Sequence, residues 1–247
     1  MNMPTFNEEE RLWKLGYRFV LGIDEVGRGA FAGPLVAAAV VFPQKIKVTY
    51  DKTKISQIND SKLISSRKRE ELTREIKKHA LCYSITKVSS KIIDKKGISF
   101  ATQLAFKRLV EKIKDKLETK SLFVVIDGFG IKQVKNMDRI YQKAIIKGDQ
   151  KSLSIAAASI IAKVYRDKLM KSLGEKFPEY GFEKNKGYGT LFHRKGLEVY
   201  GLSSIHRASY KIMAEEKNYF EPLEGIEPSS LVPKTKALSI KLQGQNP

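Results

Sequence analysis

Gly22-Ile23-Asp24-Glu25-Val26-Gly27-Arg28-Gly29, continuing into Ala30-Phe31-Ala32-Gly33-Pro34, is the stretch from which the rest of the chain can be read. An apolar, strand-like approach from Phe19 ends on two adjacent carboxylates, and a Gly-Arg-Gly turn follows at once. The surrounding chain carries 46 Lys and Arg against 27 Asp and Glu, a formal net charge of +19. That excess implies an anionic partner, with nucleic acid the first candidate and an anionic membrane surface the second. Acidic side chains set inside a basic surface point to metal held against a polyanion, and so to nucleic-acid phosphate chemistry.

Working outward, Pro34 to Phe42 is a near-continuous apolar run rich in Val and Ala, which predicts a strand buried on both faces. Residues 7–16 predict a short amphipathic helix with Asn7 as its cap and Glu8 to Glu10 in its first turn. A helix is expected over 66–79, and Leu81 to Val88 alternates as a strand. Ser99 to Glu118 has apolar residues at Phe100, Leu104, Leu109, Ile113 and Leu117, the stripe of a long helix buried along one side. Ser121 to Ile126 reads as a strand ending on Asp127-Gly128, and Ala144 to Ile146 as another that stops at Gly148-Asp149. A helix over 152–173, a loop with Gly181, Gly187 and Gly189, and a helix near 190–200 complete the pattern. A cluster of strands followed by alternation with helices predicts an α/β fold with a central mixed sheet flanked by helices.

A chain of 247 residues with 42% hydrophobic content can build one large core. No apolar run approaches the ~20 residues of a spanning helix, so no membrane partner is expected. Met1 to Thr5 lacks the charged-then-apolar pattern of a secretory signal, and a cytoplasmic location is expected. The single cysteine, Cys82, excludes an internal disulfide and reads as a buried structural thiol. Three scattered histidines give no zinc spacing. Residues 221–247 differ in kind: they hold four of the eight prolines, and three glutamates offset three lysines, so the whole +19 lies in residues 1–220. The expected organisation is a catalytic domain over 1–220, including a helical C-terminal part, and a poorly ordered tail over 221–247.

Three segments deliver acid to the C-terminal end of an expected strand: Asp24-Glu25, Asp127 and Asp149. Strand carboxyl ends are where open α/β sheets build their sites. Hard divalent ions prefer oxygen ligands, and a pair of them can stabilise both the attacking and the leaving oxygen of phosphodiester hydrolysis. Taken singly, Asp127 before Gly128 and Asp149 after Gly148 read more readily as turn formers or helix caps. Asp24-Glu25 is harder to read so, because it follows Ile23 directly. Neighbouring strand residues point to opposite faces. The strand is therefore expected to break at Glu25, or Glu25 to act partly through its main-chain carbonyl, with the glycines at 27 and 29 allowing the break. Those glycines do not make a dinucleotide fingerprint: the spacing is one residue too long, and Pro34 with a strand-like run follows instead of a helix. They suit close backbone approach to a ligand, with Arg28 free for a phosphate or sugar contact.

Gly22 to Val41 closely resembles the first signature of type 2 ribonucleases H, in particular bacterial ribonuclease HII. The resemblance continues in order through Asn59-Asp60-Ser61-Lys62, Ile126-Asp127-Gly128, Lys147-Gly148-Asp149, the run Ser154 to Lys163, Arg166-Asp167, Lys186-Gly187-Tyr188 and His206-Arg207-Ala208-Ser209-Tyr210. It covers roughly residues 15–212. The resemblance implies a ribonuclease H-like fold and four metal-holding, catalytic carboxylates: Asp24, Glu25, Asp127 and Asp149. Asp167 is read as structural. It further implies a monomeric endonuclease using two divalent ions, Mg²⁺ or Mn²⁺. Such an enzyme cuts the RNA strand of RNA·DNA hybrids and duplex DNA 5′ of an embedded ribonucleotide, leaving 3′-hydroxyl and 5′-phosphate ends. Gly27, Arg28 and Gly29 would sense the ribose 2′-hydroxyl, and Tyr188 would stack on the neighbouring deoxyribose, while Lys62, Ser154 and Lys163 are candidate substrate contacts. The Gly-Arg-Gly turn and the twenty or so residues before the first strand match ribonuclease HII and not HIII. Departures from the family pattern fall at Leu63, Gly97 and Gly189, none of them a metal ligand. The alternative is a basic nucleic-acid-binding module without catalysis, which gains nothing from four acids facing a polyanion. An integrase-like nuclease of the same fold lacks the Gly-Arg-Gly turn and the Tyr188 loop.

Overall fold

Five strands form one twisted sheet in the order β3-β2-β1-β4-β5. The computed structural model describes residues 3–46, 53–59, 61, 64–118, 122–131 and 141–210. The strands are β1 (Phe19–Val26), β2 (Leu35–Val41), β3 (Cys82–Val88), β4 (Leu122–Asp127) and β5 (Gln142–Ile145). Seven α-helices lie among the described residues: α1 (Asn7–Lys14), α2 (Ser66–His79), α3 (Ser90–Lys96), α4 (Ile98–Leu117), α5 (Leu153–Lys176), α6 (Phe182–Asn185) and α7 (Leu191–Tyr200). β1, β2 and β3 run antiparallel as a meander, whereas β4 and β5 join β1 in parallel. The sheet is mixed, as the strand pattern predicted, and residues 1–212 form one compact unit. The tail expected over 221–247 lies outside the described residues.

Period-two alternation sorts the strands' side chains onto two faces. On one, Leu21, Ile23, Ala37 and Ile126 pack against Phe106, Leu109, Val110 and Ile113 of α4. Truncating Phe106 to alanine there would cost roughly 3–5 kcal/mol. On the other, Val36, Ala38 and Val40 meet α5 and the α2 residues Leu72 and Ile76. The stripe of α4 differs from expectation at one end. Phe100 is 48% exposed, and Ala101, Thr102 and Ala105 are buried in its place. Helix α1 begins at Asn7, one residue after its cap position Phe6, so Asn7 is not the cap. Its N–H is instead bonded to Thr5 Oγ1 at 3.3 Å.

Helix α5 is buried without interruption from Leu153 to Ala162, a helix apolar or small on every side and hence enclosed by its neighbours. Ser152 caps it, accepting a hydrogen bond from the Ile155 N–H at 3.3 Å. Its first turn lies directly on β1. A Cβ added at Gly22 would stand 2.2 Å from the Ser154 carbonyl carbon, so only glycine admits this contact. The acid-bearing end of β1 is thereby pressed against the start of α5.

Candidate active site

The parallel register sets the acids side by side. Ile23 pairs with Ile126 and Asp127 pairs with Ile145, so Asp24 and Asp127 follow neighbouring positions at the ends of adjacent strands. Asp149 sits in a single 3₁₀ turn, Gly148–Gln150, just beyond β5. That turn is tied to the cluster, because Asp127 Oδ1 accepts the Gly148 N–H at 2.7 Å. The strand does not break at Glu25 as expected. Pairing with β4 stops at Ile23, but pairing with β2 continues through Glu25↔Ala37 to Val26↔Val36. Asp24 and Glu25 consequently diverge. Asp24 is bonded to Ser159 of α5 and its Oδ1 accepts the Glu25 N–H at 2.7 Å. Glu25 faces Arg28, whose Nη1 lies 3.6 Å from Glu25 Oε1.

Burial pushes Asp24 well above the usual carboxylate range, and the neighbouring Glu25 and Asp127 add to the shift. Burial likewise pushes Glu25 up to about 7; Arg28 opposes the shift and Asp127 reinforces it. Glu25 Oε2 is buried with no hydrogen-bond partner. Asp149 is buried too. Among the described residues no three His, Cys, Asp or Glu side chains stand as a ready chelating group. Burial and mutual repulsion thus raise Asp24 and Glu25 together, with Arg28 opposing the shift at Glu25.

Next to the acids, Arg28 is fixed from three sides. Its Nη1 donates to Thr102 Oγ1 of α4 at 3.0 Å, its guanidinium covers the Phe129 ring at 4.8 Å, and Glu25 flanks it. The turn that carries it holds two glycines for different reasons. Gly27 has φ +89°, and an added Cβ would lie 2.2 Å from Arg166 Nε. An added Cβ at Gly29 would meet nothing within 4 Å. Tyr188, 37% exposed, lies opposite, held by Phe31 and Ala32 N–H groups that both donate to the Gly187 carbonyl. At Gly189 an added Cβ would fall 2.1 Å from the Phe31 ring.

A histidine pair anchors the Tyr188 loop. His206 Nδ1 accepts the Ser203 N–H at 2.8 Å, so its proton must sit on Nε2. That proton is donated to His193 Nε2 at 2.9 Å, which leaves His193 Nδ1–H to donate to the Tyr188 carbonyl, also at 2.9 Å. The relay requires both rings neutral. Burial favours this state, holding His193 below its ordinary value and His206 down at about 4.

The remaining candidates divide. Lys163 is ion-paired to Asp167 at 2.8 Å, and Asp167 also lies 3.6 Å from Arg69 Nη2, in keeping with a structural Asp167. Ser154 is fully buried, and its N–H and hydroxyl both donate to Glu9 Oε1. Lys62 lies outside the described residues. Its neighbour Ser61 shares a 3.0 Å hydrogen bond with Ser159, which connects that loop to the partner of Asp24. Ser159, Thr102 and Phe129 escaped the sequence reading. Only Ser159 carried a signal, as the polar break in a run of alanines and isoleucines.

A mixed sheet with acids at the carboxyl ends of its first and fourth strands, backed by a buried helix, defines a nuclease-type site on a ribonuclease H-like α/β fold. The family model for ribonuclease HII matches residues 21–213. The chain is similar to ribonuclease HII of Clostridium beijerinckii, 48% identical over 194 residues that cover 78% of this chain and 68% of that protein. It is also similar to ribonuclease HII of Caldicellulosiruptor bescii, 45% identical over 83% of this chain and 92% of that one. Among solved structures it resembles ribonuclease HII in the PCNA complex from Archaeoglobus fulgidus. There the TM-score is 0.61 and the identity 28%, covering 79% of this chain and 95% of that chain. The chain belongs to the ribonuclease HII family and is a ribonuclease, a hydrolase of phosphodiester bonds.

Proposed function

We propose that this protein is a divalent-metal-dependent endonuclease that cuts the RNA strand of RNA·DNA hybrids and nicks duplex DNA 5′ of an embedded ribonucleotide. The products carry 3′-hydroxyl and 5′-phosphate ends. The observation that carries the reading is the acid cluster: buried, mutually repelling carboxylates with Glu25 Oε2 unpartnered, in a chain of net charge +19. A donor set made wholly of carboxylate oxygen fits Mg²⁺ or Mn²⁺. Asp24, Glu25, Asp127 and Asp149 would hold two such ions, which when bound supply an activated water and charge to stabilise the leaving 3′-oxygen.

The chain's own residues would do the rest. Gly29 is open on the protein side, which leaves room for a sugar to approach the main chain, and Arg28 is already oriented by Thr102 and Phe129. Only the 2′-hydroxyl distinguishes RNA from DNA at the sugar, so a close main-chain turn is suited to reading it. Tyr188 offers an exposed ring for the adjoining deoxyribose. Lys163 and Lys62 would meet phosphates. The catalytic domain spans residues 1–220, and the protein acts as a cytoplasmic monomer. Among the described residues no helix is long and apolar enough to cross a membrane. The test is a DNA duplex carrying one ribonucleotide, incubated with the protein and Mg²⁺. A nick immediately 5′ of the ribonucleotide is expected. An intact duplex beside a cleaved uniform hybrid would refute the junction specificity.

A further inference from the structure

Two fully buried arginines lie beneath the sugar-reading turn, and among the described residues neither forms an ion pair. Arg166, on α5, donates from Nη1 to the Lys186 carbonyl at 2.8 Å, from Nη2 to Ala32 at 3.2 Å and from Nε to Pro34 at 3.2 Å. Arg207, after α7, donates from Nη1 to the Arg28 carbonyl at 2.7 Å and from Nη2 to the Gly33 carbonyl at 2.9 Å. The Tyr210 hydroxyl accepts from Arg207 at 3.0 Å and itself donates to the Arg28 carbonyl at 2.6 Å. A buried charge without a counter-ion is an expensive way to stabilise a fold. What these two charges reach is informative: every acceptor is in the turn and its continuation, in the Tyr188 loop, or is Tyr210.

Arg166 stands between the two sensing elements. Its Nε blocks any side chain at Gly27, and its Cζ lies 5.5 Å from the centre of the Tyr188 ring. We propose that Arg166 and Arg207 are positioning residues that fix the spacing between the Gly27–Gly29 turn and Tyr188, and thereby set discrimination for a single ribose in DNA. The inference rests on the function proposed above. A planar, forked donor is essential to it, because several carbonyls must be bridged at fixed angles, which a lysine ammonium cannot do. Burial lowers Arg166 to about 10, so the charge persists at neutral pH.

The test compares kcat/KM on duplex DNA with one ribonucleotide and on a uniform RNA·DNA hybrid, for wild type, Arg166→Lys, Arg207→Lys and Tyr210→Phe, all below their melting temperatures. A uniform hybrid offers a ribose in every register, so misplacing the turn should harm the junction substrate more. The lysine variants should lose about 10–100-fold on the junction substrate, the scale expected of ångström misplacement, and clearly less on the hybrid. A merely structural role would lower both rates together. Tyr210→Phe keeps the ring, removes only the hydroxyl bridge, and carries the test if a lysine variant does not fold. It should shift the ratio in the same direction by a smaller factor. Wild-type ratios in the folded variants would overturn the inference while leaving the proposed function intact. A wild-type protein that cuts the hybrid but not the junction would instead overturn the junction reading, and this inference with it.

Discussion

Gly27→Ala separates the architecture of the turn from its chemistry. At φ +89° an alanine bears a steric cost of about 1–2 kcal/mol. Its Cβ would also stand 2.2 Å from Arg166 Nε, where 3.4 Å begins ordinary contact, so the turn or the guanidinium must move by more than an ångström. Arg166 holds three carbonyls, and weakening one or two of these bonds adds roughly 1–3 kcal/mol. The expected destabilisation is therefore about 2–5 kcal/mol. Cleavage should fall on the order of a hundredfold even where the variant is fully folded. Denaturant unfolding gives the first figure, and single-turnover nicking of a one-ribonucleotide duplex gives the second. Gly29→Ala is the contrasting variant, because its Cβ meets nothing within 4 Å. Its stability should change by less than about 1 kcal/mol, yet cleavage should drop, since the methyl intrudes where the sugar approaches. Gly27→Ala with wild-type stability and rate would refute the packing argument. An active Gly29→Ala would refute the close approach.

Other perturbations test other parts. His206, held down at about 4 by burial and by His193, is neutral in the folded chain, so the stability it contributes is complete above the ordinary value near 6.5. That contribution should be lost as pH falls from about 6.5 towards 4, by of order 1–2 kcal/mol after solvent screening, and unfolding free energies measured across that interval should show it. A flat profile would contradict the neutral relay. Glu9→Ala leaves the Ser152 hydroxyl and both Ser154 donors without their buried acceptor, which should cost about 1–3 kcal/mol in denaturant unfolding. Binding to uncleavable duplex in EDTA should weaken steeply with salt. About six phosphate contacts would forfeit roughly a thousandfold between ~50 and ~200 mM, and a nearly salt-independent affinity would contradict the basic-surface reading.

Asp24 and Asp127 could be placed from the sequence because each follows an apolar run at a strand end, and the parallel pairing of β1 and β4 sets those ends side by side, whereas Asp149 lies in a turn beyond β5. The break anticipated at Glu25 was not there, since a strand can lose one neighbour and keep the other: β4 departs at Ile23 and β2 stays to Val26. Ser154 was a candidate by resemblance alone, and nothing local in the sequence shows that close packing on Gly22 and the reach of Glu9 bury it. Phe100 was assigned to the α4 stripe from periodicity alone, but small residues at 101, 102 and 105 make the closer contact with the sheet. Arg166 and Arg207 were unreadable as a frame, since they meet the turn across 130 residues and more of intervening chain. No local pattern reports a guanidinium bound to distant main-chain carbonyls.

On the proposed function, the carboxylate cluster holds metal for cleavage and is not part of a passive binding surface. Asp127→Asn tests it most directly, because Asp127 lies between the β1 acids and the turn bearing Asp149. The variant and wild type should be compared on one duplex carrying a single ribonucleotide, with binding measured in EDTA and nicking measured in Mg²⁺. Wild-type duplex affinity and almost complete loss of the nick are expected. A variant that nicks at the wild-type rate would contradict it.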